Sequence, residues 1–241
     1  MSYRGSYMSF FPPLTPALKY LLIFTSGAFI LTYVPAVLFH WTLPLQLFGL
    51  TPFLVIHKGF LWQPVTYLFL HGGLMHILFN LFALWMFGSD LERTWGSRQF
   101  LFYFFLCGVG AGLFDILMQP SAISVTIGNS GAVYGILVAF GLLFPNRPIF
   151  LWFVIPIKAK WFVLAMCVME FLFSLGSPGS GISHVAHVGG ILIGLVYLRG
   201  GRFWYRWQLG YHEWRRTRLR KKFEIYMRKR EQKDDSGRWI N

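Results

Sequence analysis

Residues 127–135 read IGNSGAVYG and run without a break into ILVAFGLLF, residues 136–144. Ser130 and Tyr134 are the only hydroxyls from 130 to 144, and glycines stand at 128 and 131. A serine at the mouth of an apolar run, with the bulk cleared away around it, gains nothing from facing lipid. Exposed polar backbone is not tolerated in hydrocarbon either, so such a residue belongs in a protein-lined, water-accessible cavity. The stretch therefore predicts a bundle of apolar helices enclosing a polar pocket.

The rest of the chain agrees with that expectation. Of 241 residues, 55% are hydrophobic and 13% charged, too apolar for a soluble domain of this length. Twenty-six Phe and ten Trp suit lipid-facing surfaces and interfacial belts. The net charge of +13 does not mark a nucleic-acid-binding body, because 14 of the 22 Lys and Arg lie in residues 199–241. Cys107 and Cys167 sit in apolar runs without metal-type spacing and read as buried thiols.

Six apolar segments are predicted, at about 17–39, 66–87, 99–118, 130–144, 161–176 and 184–199. The first is too long for a signal-peptide core and has no small-x-small cleavage site after it, so it reads as a retained span. Six spans put both termini on one side of the membrane. That side then holds Arg4, Lys19, Arg93, Arg98, Arg147, Lys158, Lys160 and the 14 basic residues of the tail, leaving only Lys58 opposite. The positive-inside rule makes it the cytoplasm. The expected organisation is a cytoplasmic N-terminal segment (1–16), a six-helix membrane domain (17–199) and a basic cytoplasmic tail (200–241). The first connection, about 40–65, is too apolar for a solvated loop and is expected to lie partly in the interface. The tail interleaves aromatics with arginines. It reads either as a contact for anionic lipid headgroups or as a solvated segment that fixes topology.

Polar residues persist in three places where lipid should forbid them: HGGLMHILFN (71–80), GNSG (128–131) and SHVAHVGGILIG (183–194). The predicted topology puts all three at the non-cytoplasmic end of the bundle. His76 and Asn80, four apart, share one helix face. A 15-residue fourth helix spans about 22 Å, which sinks Ser130 roughly 8 Å below the outer surface of a core about 30 Å thick. Gly131 and Gly135, and Gly190 and Gly194, form small-xxx-small pairs that let helices meet backbone to backbone. His187 lies on the face of Gly190 and Gly194, so close packing of the fourth and sixth helices brings it to Ser130. Tyr134, one turn below, can stack on the imidazole. Serine needs a neighbouring base to become a nucleophile, and histidine is the usual one. The Ser130 backbone N–H and the His76 and Asn80 side chains are candidate oxyanion donors. The combination is that of a hydrolase.

The pieces HGGLMHILFN, GNSGAVYG and AHVGGILIG, in this order, resemble the signature regions of the rhomboid intramembrane serine proteases, and the turn ERTWGSRQF (92–100) is similar to that family too. The likeness covers roughly residues 60–198. It implies an all-α membrane protein, a six-transmembrane-helix rhomboid-like bundle with an outer-leaflet loop between helices 1 and 2. It also implies a Ser–His dyad, with no third acid and no cofactor, that cuts transmembrane segments of substrate proteins admitted near the second and fifth helices. Carried over by motif, Ser130 is the nucleophile and His187 the base. His76, Asn80 and the Ser130 amide form the oxyanion hole, Gly128 allows the turn before the serine, and Tyr134 supports the base. Two departures stand out: Trp62-Gln63 where many relatives carry Trp-Arg, which leaves the loop conformation open, and Asn129 where Ala or Leu is usual.

The alternative is a catalytically silent relative that binds membrane clients, which the retained Ser130 and His187 argue against. A transporter is disfavoured because no inverted repeat is visible. A metal site built from His71, His76, His184 and His187 is disfavoured as well, since HExxH is missing and no acidic residue is near them in sequence. His184 is expected as a hydrogen-bonding neighbour of the site and His71 as a loop or helix-end residue. Asp115, near a helix end and able to reach water, and the deeper Glu170 have no evident partners and are assigned structural roles. A bacterial cytoplasmic membrane is the expected location.

Overall fold

The computed structural model describes residues 12–151, 154–176, 183–200, 223, 224 and 227. The apolar helices are α1 (Pro16–Phe39), α5 (Leu74–Trp95), α6 (Ser97–Met118), α7 (Ser130–Leu143), α8 (Ala159–Gly176) and α9 (His184–Gly200). Short helices α2 (Leu43–Phe48), α3 (Pro52–Lys58) and α4 (Gln63–Thr66) fill the first connection. Four helices, α1, α5, α6 and α8, are long and apolar enough to cross a membrane, while α7 and α9 are shorter. The protein is an integral, multi-pass membrane protein. Packing divides the chain into Met1–Val196 and Tyr197–Asn241. The expected N-terminal segment and basic tail, with the lipid contact assigned to the tail, lie outside the described residues apart from 12–16, 200, 223, 224 and 227.

The second long helix differs from the expected 66–87. Residues 67–69 form a 3-10 turn, Gly72 and Gly73 interrupt the apolar run, and α5 begins only at Leu74. It then continues through the expected turn at 88–98 and stops at Gly96, whose φ is +82°. The charges in its last turns stay helical because each has a partner. Asp90 binds Arg93 and Arg147. Glu92 accepts hydrogen bonds from Ala17 N–H (2.9 Å), Leu18 N–H (3.0 Å), Ser97 Oγ (2.6 Å) and the Thr15 hydroxyl. A carboxylate from α5 thus satisfies the orphan amides of the first turn of α1 and faces the positive end of its dipole. Glu92→Ala leaves those buried amides unpaired, and we expect a loss of about 3 kcal/mol, read as a lower unfolding midpoint in detergent. A midpoint equal to that of the parent protein would mean that water replaces the carboxylate.

The first connection is a built structure. Buried Gln63 accepts from Thr51 N–H (3.0 Å) and donates to the carbonyls of Gln46 (3.3 Å) and Leu47 (3.2 Å), while Trp62 Nε1 also donates to Leu47 O (2.9 Å). An amide carries one acceptor and two donors on one short stem, so it can serve all three backbone groups at once. Beneath it, Leu50, Tyr67 and Leu68 form a buried cluster with Phe105 and Val109 of α6.

α7 is the innermost helix, buried continuously from Gly131 to Gly141, which explains why it is apolar on every side. It packs against α5, α6 and α8. α8 is the opposite case, with only Ala159, Val163 and Glu170 buried. The expected all-α class has one exception among the described residues: the connection before α8 contains an antiparallel hairpin, β1 (Pro148–Leu151) with β2 (Ile155–Lys158).

Candidate active site

The turn into α7 is fixed by glycine chemistry. Gly128 has φ +111°, and a Cβ there would stand 2.7 Å from His76 Nε2. The position needs glycine both for its backbone and for the imidazole lying against it. Gly128 N–H donates to Tyr67 O (2.9 Å), which ties the turn to the first connection. Ser130 is the first residue of α7, where backbone N–H groups lack helical partners.

α9 meets α7 along the expected glycines. A Cβ on Gly190 would lie 2.0 Å from Gly131 O, one on Gly131 3.3 Å from Ala186 O, and one on Gly194 3.2 Å from Gly135 Cα. This contact brings His187 Nε2 to 2.6 Å from Ser130 Oγ. The Tyr134 ring packs on the imidazole, with centroids 4.8 Å apart. His187 is 8% exposed, whereas Ser130 and His76 are half-buried and border open space. His76 Nδ1 accepts a long hydrogen bond from Gly72 N–H (3.4 Å), leaving Nε2 as the protonated nitrogen beside Gly128. Asn80 donates one amide hydrogen to His76 O (2.9 Å) and keeps another free to donate.

These groups line a cleft of about 1820 Å³ that runs between α5 and α8 over α7, with Phe79 and Met86 on one wall and Phe162 and Met166 on the other. His76, Asn80, Gly128, Ser130, Gly131, Tyr134 and His187 all line this cleft, while Gly190 and Gly194 lie behind it at the contact of α9 with α7.

His71 lies in the loop before α5, as expected, and is fully buried behind His76, with ring centroids 4.9 Å apart. Burial, then the neighbouring His76, pushes its pKa down to about 4, so it stays neutral at physiological pH. Two expectations need correcting. Asp115 does not reach water. It is 2% exposed and accepts from Gln119 Nε2, Thr126 Oγ1 and Ser183 Oγ, holding the 119–129 connection to the start of α9. Second, an acid does stand beside the histidines. Glu170 accepts from His187 Nδ1 (2.9 Å), His184 Nδ1 (2.8 Å) and Tyr134 OH (2.5 Å). The signal that could have found it is the i, i+3 spacing of His184 and His187, which aims both rings at one acceptor. Glu170, His184 and His187 have the donor types of a zinc site, their ligating atoms all within 4.8 Å. Both nitrogens lie at hydrogen-bond distance from the same carboxylate oxygen, so N–H donation accounts for the cluster.

Fold and site together define an integral membrane protein with a serine–histidine pair facing a cleft between its helices. Residues 58–201 match the family model described as the Rhomboid domain. The chain is 30% identical over 148 residues to Rhomboid protease GluP of Bacillus subtilis, covering 61% of this chain and 27% of that one. It is 29% identical over 173 residues to Rhomboid protease AarA of Providencia stuartii (63% and 60%), and 26% identical over 165 residues to the mitochondrial Rhomboid protein 1 of Saccharomyces cerevisiae (65% and 47%). The chain belongs to the rhomboid family. It spans between about a quarter and three fifths of the length of these relatives.

Proposed function

We propose that the chain is an intramembrane serine endopeptidase that cuts peptide bonds in or near transmembrane segments of other proteins. The observation that carries this reading is the 2.6 Å contact between Ser130 Oγ and His187 Nε2 at the edge of the cleft. As Oγ attacks the scissile carbonyl carbon, His187 Nε2 takes its proton. Negative charge then develops on the carbonyl oxygen, where the Ser130 N–H, His76 Nε2–H and the free Asn80 amide hydrogen are the candidate donors. Collapse of the tetrahedral intermediate breaks the C–N bond, and His187 returns the proton to the leaving amine. Water, deprotonated by the same imidazole, attacks the acyl-serine, and His187 returns that proton to Ser130 Oγ as the ester C–O bond breaks. Gly128, Gly131, Gly190 and Gly194 hold the backbone geometry, and Tyr134 holds the ring. We read α1 and α5–α9 as six spans with both termini cytoplasmic, in a bacterial inner membrane. On this reading substrate enters from lipid between α5 and α8. A silent client-binding relative has no need of a serine and an imidazole in hydrogen-bond contact.

The test is covalent labelling. A fluorophosphonate probe added to the protein in bilayers should modify one residue, and peptide mass mapping should assign it to Ser130. Modification elsewhere, or none while the protein remains folded, overturns the assignment.

A further inference from the structure

The geometry points to Glu170 as a third member of the catalytic arrangement, a positioning residue that fixes and charges the balance of His187, so that this chain uses a Ser130–His187–Glu170 relay spread over α7, α9 and α8. The inference rests on the reading of Ser130 and His187 given above. It departs from the two-residue dyad that the family resemblance implies.

The argument begins with hydrogen-bond accounting. Glu170 faces three donors, Tyr134 OH on Oε1 and His184 Nδ1 and His187 Nδ1 on Oε2, a set that suits a carboxylate. A carboxylate only accepts, so the His187 proton must sit on Nδ1. Nε2 then carries the lone pair, and it is Nε2 that faces Ser130 Oγ. One buried acid thereby selects the tautomer that can accept the serine proton. When that proton arrives, the imidazolium charge appears 2.9 Å from an anion in a poorly solvated site, where the attraction is least screened.

Placement supports a dedicated role. α8 turns most of its surface outward and buries only Ala159, Val163 and Glu170, which lie at i, i+4 and i+11 and so share one stripe. An ionised carboxylate at 9% exposure in a membrane helix is expensive unless its partners are fixed. Here two rings from α9 and a phenol from α7 fix them. Tyr134 consequently has two tasks: its ring packs on His187, and its hydroxyl holds the other oxygen of the acid that orients the same ring.

The experiment compares the full chain in bilayers with Glu170→Gln and Glu170→Asp, using Ser130→Ala as the blank. A glutamine amide can donate to Nδ1 and so favours the wrong tautomer. The fluorophosphonate labelling rate and the kcat for a membrane-embedded reporter should fall by about 10²–10⁴-fold in Glu170→Gln with KM little changed, and Glu170→Asp should recover part of the loss. The final labelled fraction, which counts folded sites, should stay equal to that of the parent protein. Nitrogen-15 spectra of histidine-labelled protein supply a readout independent of turnover: His187 should carry its proton on Nδ1 in the parent and shift to Nε2 in Glu170→Gln. Parent-like rates in Glu170→Gln, or an Nε2-protonated His187 in the parent, overturn the inference. So does parent labelling that rises on adding a chelator, which would assign the cluster to a cation. A parent protein that is never labelled at Ser130 defeats the protease reading instead, and the tautomer measurement still decides the role of Glu170.

Discussion

Ser130→Ala and His187→Ala will each bring cleavage of a membrane-embedded reporter down by about 10⁴-fold or more, and the double variant will be no slower than either single one. The non-additivity is the informative part. Oγ and Nε2, 2.6 Å apart, act as one unit, so once either is gone the other has nothing left to do. Folding should survive both changes. In Ser130→Ala, His187 keeps its bond to Glu170 and its contact with the Tyr134 ring, and the glycine contact between α7 and α9 is untouched. Unfolding midpoints close to that of the parent, measured beside the rates, will separate chemistry from structure. Cleavage that persists at the parent rate in either single variant would place the nucleophile or the base elsewhere.

Gly190→Ala will lower activity by at least about 100-fold although residue 190 touches no reacting atom. Its new Cβ would stand 2.0 Å from Gly131 O, 2.7 Å from Gly131 C and 3.0 Å from Gly131 Cα. All three are backbone atoms, so no side chain can swing aside, and α7 and α9 must part by more than about 1 Å to restore ordinary contact. A shift of that size stretches the Ser130–His187 contact beyond hydrogen-bonding range, and misplacement by an ångström is enough for a loss of about 10². Overpacking should also destabilise the protein by about 1–3 kcal/mol. Gly27→Ala in α1 is the control, since nothing lies within 4 Å of its added methyl. The two variants should differ sharply in fluorophosphonate labelling rate. Equal rates would mean that the contact between the two helices has slack.

How far the sequence reached depended on whether a constraint was local. GNSG announces a turn and a helix start within four residues, and the pairs at 131/135 and 190/194 announce a close helix contact through their spacing alone. The convergence of Ser130, His76, Asn80 and His187 followed from those and from topology. The start of α5 is hidden in the sequence because TYLFLHGGLMHILFN is largely apolar, and only Gly72 and Gly73 mark the break. Its end is hidden as well, because Asp90 and Glu92 look like the limits of a span until their partners, Arg147 and the first turn of α1, are seen. Those partners are 57 and about 75 residues away, beyond anything periodicity encodes. Glu170 is the same case: the pairing of α8 with α9 is a property of the packed bundle. Gln63 shows the reverse, a departure from the usual Trp-Arg pair that left the loop open in sequence and that the structure resolves through three backbone hydrogen bonds.

Backbone pressed on backbone between α7 and α9 resists compression, so the floor of the cleft is a fixed bed. The two walls above it are sprung: Phe79 and Met86 on α5 and Met166 on α8 are rotatable side chains that can re-pack without moving the scaffold. Any polypeptide laid against Ser130 therefore has to be fitted by yielding on the α5 and α8 side alone. Tolerance for different guests and accuracy of attack can then be tuned by separate sets of residues.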